Sequence, residues 1–112
     1  RGYPLSETEA ILKLLAPYAK HTHIKNISYP KMFQEIYREV GWEYETYVCP
    51  LFKGDINIEY ILTELKKCNY TNALCIEDES LGQFHDPSQK REILKKDVEF
   101  LVEITNDIQF DN

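Results

Sequence analysis

The chain has 112 residues, 43% of them hydrophobic, 12% aromatic and 29% charged; this is enough for one small folded domain and argues against a disordered chain. Its net charge of −6 argues against a nucleic-acid or anionic-membrane partner, since both call for a basic face. No apolar run approaches the roughly 20 residues of a spanning helix, and the opening residues lack the form of a signal peptide. Cys49, Cys68 and Cys75 are odd in number and have no CxxC spacing, which fits reduced thiols in a cytoplasmic protein.

Taken in chain order, Ser6 and Glu9 have the S-x-x-E form of a capping box. Ile11, Leu12, Leu14 and Leu15 follow as an apolar face that Pro17 ends, so the first element is a short amphipathic helix. A strand is expected over about residues 19–26, "AKHTHIKN". Residues 31–40 place Met32, Phe33, Ile36, Tyr37 and Val40 at helical spacing before Gly41. The aromatic run "WEYETYVCPL" reads as an extended segment. "KGDINIEYILTELKKCNY" is the clearest helix: Asp55 or Asn57 can cap it, and Ile58, Ile61, Leu62 and Leu65 form its stripe. A second strand is expected over about 73–78, where Leu74, Cys75 and Ile76 are apolar throughout, as in strands covered on both faces. Asp86 and Pro87 open a last helix whose buried side is Ile93, Leu94, Val98, Leu101, Ile104 and Ile108.

Strand, loop and packing helix in repetition make an α/β protein with a parallel sheet. Two strands alone are a poor domain, because parallel sheets are normally covered on both faces and contain more strands. The expectation is therefore that residues 1–112 are a single unit that belongs to something larger or pairs in a homo-oligomer.

Candidate chemistry follows from alternation along the strands. Side chains two apart in a strand share a face, so His21, His23 and Lys25 stand together. A lone histidine is usually satisfied by a neighbouring carbonyl, but a neutral imidazole at a strand end is also a common ligand for divalent metals. His21 lies one layer further from the strand end, where packing or orienting its neighbour is the simpler role. Lys25 is either a solvated ammonium or a contact for a carboxylate, phosphate or developing oxyanion. Glu77 ends the second strand on the face of Cys75 and Ala73. Read blandly it is one exposed carboxylate of an acidic loop; yet in barrels and open parallel sheets chemistry gathers at the carboxyl ends of strands. Neighbouring strands lie about 4.8 Å apart, close enough for His23 and Glu77 to reach one ion. Asp55 reads as a helix cap and Cys75 as core. Trp42, Tyr44 and Tyr47 are either packing or the cover of a pocket mouth.

These residues together resemble the xylose-isomerase-like TIM barrels, specifically the sugar phosphate isomerase/epimerase family. "LLAPYAKHTHIKN" is similar to a helix and the seventh strand of the family, a strand that ends in His-x-Lys-Asp, with Asn26 here in the last place. "PLFKGDINIEYILTELKKCNYTNALCIEDES" is similar to the Gly-Asp-x-Asp segment, seventh helix and eighth strand, with Asn57 for the second aspartate and Phe52 and Lys53 for the more usual Gly-Glu. The resemblance covers about residues 4–105.

It implies the C-terminal βα units of a (β/α)8 TIM barrel, with a loop insertion over residues 27–53 at the active-site mouth. It further implies a divalent metal (Mn, Mg, Co or Zn) held by His23, Glu77 and two carboxylates from strands before Arg1. Glu77 would double as the catalytic acid–base group, Lys25 would contact the substrate and His21 would support His23. The activity implied is isomerisation or epimerisation of a sugar or sugar phosphate by proton transfer through an enediolate. A related lyase or dehydratase acting on sugars or inositols shares the fold, and a barrel without metal would be purely structural. Related barrels that cleave DNA at abasic sites need further histidines, and none lies between His23 and His85.

Overall fold

The computed structural model describes residues 2–110 and is a mixed α/β structure. Helix α1 (Leu5–Leu15) is followed by a 3₁₀ turn at Ala16–Tyr18, strand β1 (Thr22–Ile24) and strand β2 (Asn26–Ile27). Helix α2 (Tyr44–Tyr47) and strand β3 (Val48–Cys49) lie in the insertion, and helix α3 (Ile58–Lys67), strand β4 (Leu74–Ile76) and helix α4 (Pro87–Asp107) complete the order. β1 and β4 pair in parallel, with His23 opposite Cys75. Joined through α3, they form one βαβ unit. β2 and β3 form a separate antiparallel pair, and the described residues close no barrel. No helix among them is long and apolar enough to cross a membrane.

Polar clamps at the N-terminal end of the parallel pair set its register. The Tyr70 hydroxyl donates to the Ala73 carbonyl at 2.6 Å, and the Thr22 hydroxyl donates to the same oxygen at 3.2 Å. The Asn72 amide donates to the Lys20 carbonyl at 2.8 Å. At the other end the Glu77 N–H donates to the Ile24 carbonyl at 2.9 Å, carrying the ladder one residue past β4. Beneath the pair, Leu62 and Leu65 of α3, Ile24 of β1, Leu51, and Leu101 and Ile104 of α4 form the core. Leu62 is fully buried, a burial that stabilises by roughly 1.5–3 kcal/mol.

Several local expectations are corrected. Pro4, not Ser6, precedes α1, and Ser6 lies inside the helix. Its N–H and hydroxyl bond to the Glu35 carboxylate, the hydroxyl at 2.6 Å; a distant acid therefore does the capping. The helix expected over 31–40 is only a 3₁₀ turn at Lys31–Phe33. The Arg38 guanidinium donates to the carbonyls of Phe33 and Ile36, and the former is an acceptor that a helix would need. Met32 and Val40 consequently stand exposed. The run expected to be extended contains the single helical turn α2 before β3. Asn57 caps α3 by accepting from the Tyr60 N–H at 3.0 Å, whereas Asp55 accepts from the Tyr29 N–H at 3.1 Å.

Two apolar surfaces lack the cover expected for them. Leu74, Cys75 and Ile76 are half-buried rather than enclosed on both faces. On α4, Leu101 and Ile104 are buried, while Leu94 and Val98 are exposed.

Candidate functional site

The parallel register puts His21, His23 and Lys25 on the same face as Cys75 and Glu77. His23 Nδ1 lies 2.9 Å from Glu77 Oε2, and Lys25 Nζ lies 3.6 Å from that oxygen. The same ammonium sits 2.9 Å from Glu79 Oε1, a residue that alternation alone did not bring in. The His21 and His23 rings meet edge to face, with centroids 5.0 Å apart.

The electrostatics follow from these contacts. The hydrogen bond to Glu79 raises the pKa of Lys25, outweighing the opposing effect of burial, so the ammonium stays charged. The same bond, followed by the Tyr44 hydroxyl, holds the Glu79 carboxyl below the usual range. A carboxylate only accepts, so His23 Nδ1 is the donor in this contact.

Tyr44 is the insertion's contribution here. Tyr29, Phe33, Trp42 and Tyr47 pack on one another, with ring centroids 5.3–6.3 Å apart, and the Arg38 guanidinium stacks 4.2 Å from the Tyr29 ring centre. Tyr44 instead lies beside Lys25, whose Nζ is 5.8 Å from its ring centre. The aromatic run carried no periodicity that would separate Tyr44 from Trp42 and Tyr47.

Asn26, which stands where the resemblance calls for aspartate, is buried. Its Oδ1 accepts from the N–H groups of Ile27 and Ile56, and its Nδ2 donates to the carbonyls of Leu51 and Ile56. It clasps β2 to the 51–56 segment and does not join His23 and Glu77. Cys75 is half-buried and, like Cys49 and Cys68, a free thiol.

The donor set is suited to a divalent cation, with one imidazole nitrogen and one carboxylate on a common face. Two ligand atoms about 2.1 Å from an octahedral ion and at right angles are about 3 Å apart, close to the His23–Glu77 separation. Among the described residues no group of three or more His, Cys, Asp or Glu converges as a metal site. Two ligands fall short of the about three protein ligands that catalytic metal sites use. No family model, no curated protein and no solved structure matches the chain.

Proposed function

We propose that the chain supplies the last two βα units of a (β/α)8 barrel that isomerises or epimerises a sugar or sugar phosphate with a divalent metal. The observation that carries this reading is the in-register β1–β4 pair, which delivers His23 and Glu77 to one point at the carboxyl ends of parallel strands. That end is where chemistry collects in parallel α/β folds. Two further features support it. Among the described residues the other edge of β1 is unpaired in its sheet, and a groove of about 320 Å³ is lined by Leu12, Leu15, Ile56 and Ile61 together with His23 and Lys25 of the β1 segment. An apolar groove beside a bare strand edge fits a further strand of the same sheet.

In this reading a cation would take the place of the proton between His23 Nδ1 and Glu77 and be held by both, and the remaining ligands would come from neighbouring strands. The cation supplies Lewis-acid stabilisation of negative charge on substrate oxygens. Glu77 exchanges a proton at the carbon next to the carbonyl. Lys25, kept charged by Glu79, donates to a substrate oxygen. His21 packs against the His23 ring and limits its rotation.

The test is Glu77→Gln in the polypeptide that carries the remaining strands. Turnover falls by about 100-fold or more and metal affinity by about 10- to 100-fold; unchanged turnover together with unchanged metal content overturns the assignment. One observation favours a second reading, a barrel element with a purely structural role. The Lys25 ammonium already neutralises the carboxylates of Glu77 and Glu79, and a cation would have to displace it. Stoichiometric metal in the purified protein rules that reading out.

A further inference from the structure

Helix α4 carries more apolar surface than its packing uses. Asp97, Leu101 and Ile104 are buried, whereas Leu94, Val98 and Val102 are 41%, 45% and 51% exposed. The three exposed residues are spaced by four, so at about 100° per residue they stay within about 40° on either side of Val98. They form one ridge, roughly a quarter-turn away from the buried side. A contiguous apolar ridge facing water on a regular helix marks an interaction surface. Met32 and Val40 are exposed too, but they lie in turns and build no such ridge.

The charges along α4 point to one occupant. Its first half carries Lys90, Arg91, Lys95 and Lys96 with the single acid Glu92, and beyond Val98 come Glu99, Glu103 and Asp107 with no base. This polarity runs against the helix dipole, which favours bases near the C-terminus and acids near the N-terminus. A second α4 laid alongside in parallel would set like charge on like. Laid antiparallel, each basic half meets the acidic half of the other. Lys95 and Glu99 flank the middle of the ridge. Within one chain their Nζ and Oε1 are 4.0 Å apart, with the side chains 67% and 64% exposed. So long a surface contact contributes little, and both charges stay open to a partner.

We propose that a second copy of this chain covers the ridge, the two α4 helices packing antiparallel about Val98 as a two-fold symmetric dimer. Under that symmetry Val98 meets Val98 of the second copy, and Leu94 meets its Val102. Lys95 of each copy comes within a turn of Glu99 of the other. The contact does not depend on the His23–Glu77 pair.

The experiment is sedimentation equilibrium of the full chain from about 5 to about 500 μM. The expected result is a reversible monomer–dimer equilibrium. Val98→Lys sets two like charges against each other and weakens the dimer by about 10-fold or more, with helix content by circular dichroism unchanged. Lys95→Glu weakens it by roughly 3- to 10-fold, and adding Glu99→Lys restores the wild-type constant to within about 2-fold. Val98→Cys closes a covalent dimer under mild oxidation that the wild type, with Cys49, Cys68 and Cys75 free, does not form. A monomer over the whole range overturns the proposal. So does a dimer that Val98→Lys leaves untouched, which would pair through another surface such as the bare edge of β1. Should Val98→Lys lose its helix content, the charge exchange and the Val98→Cys cross-link decide, and failure of either overturns the antiparallel contact.

Discussion

Asp97 offers the sharpest test of the packing. Its side chain is fully buried on α4, and one carboxyl oxygen accepts from the Leu51 N–H at 2.8 Å. The other faces Asp78, which in turn caps the loop after β4 through the Ser80 N–H at 2.9 Å. Burial first, and the hydrogen bond to Asp78 second, push the Asp97 carboxyl from 3.8 up to about 7. The Cys49 thiol nearby is raised to about 11 by burial and does not titrate in this window. Between about pH 4 and 7 the unfolded chain has released a proton that the folded one retains. The contribution of Asp97 to stability is therefore full below about pH 4 and falls as pH rises toward 7. Some three units at 1.36 kcal/mol each set a ceiling of roughly 4 kcal/mol; water entry and the sharing of one proton with Asp78 reduce the expected loss to about 2–4 kcal/mol. Asp97→Asn keeps the shape, still accepts from Leu51 and can donate to Asp78, but cannot ionise. Urea titrations at pH 4, 6 and 8 should show the variant gaining on wild type by about that amount as pH rises. Parallel stability profiles for the two proteins would refute the reasoning.

Other substitutions test the frame that holds the site. A β-carbon on Gly54 would fall 1.9 Å from Asn26 Cγ, so Gly54→Ala must expel the clasp and cost about 3 kcal/mol or more by denaturant titration. Asn26→Asp removes both amide donors and sets a carboxylate against the carbonyls of Leu51 and Ile56; a loss of roughly 2–4 kcal/mol in the same titration is expected. Leu62→Ala empties a fully buried position and should cost about 2–5 kcal/mol, read as a lower urea midpoint.

What the sequence discloses depends on how local the cause is. The common face of His21, His23 and Lys25 needs only the two-residue period of a strand, and the Asn57 cap and the α3 stripe are equally local. The register that sets His23 opposite Cys75 is a tertiary matter, fixed by clamps such as Tyr70 to Ala73. Ser6 misleads because Glu35, far along the chain, competes for the same N–H. Residues 31–40 mislead because the Arg38 side chain takes carbonyls that a helix would use. Nothing beside Asp97 and Asn26 in the chain announces that Leu51 and Ile56 will be their partners. The apolar stripe of α4 is legible in full, yet Leu94 and Val98 find nothing here to cover them.

The account turns on His23 and Glu77 sharing one cation, and the most direct measurement is pulsed electron paramagnetic resonance of bound Mn²⁺. Modulation from a single imidazole nitrogen should be present in the wild type and disappear in His23→Gln, while Glu77→Gln weakens Mn²⁺ by about 10- to 100-fold. A nitrogen signal that survives His23→Gln, or Mn²⁺ affinity that neither substitution changes, would contradict it.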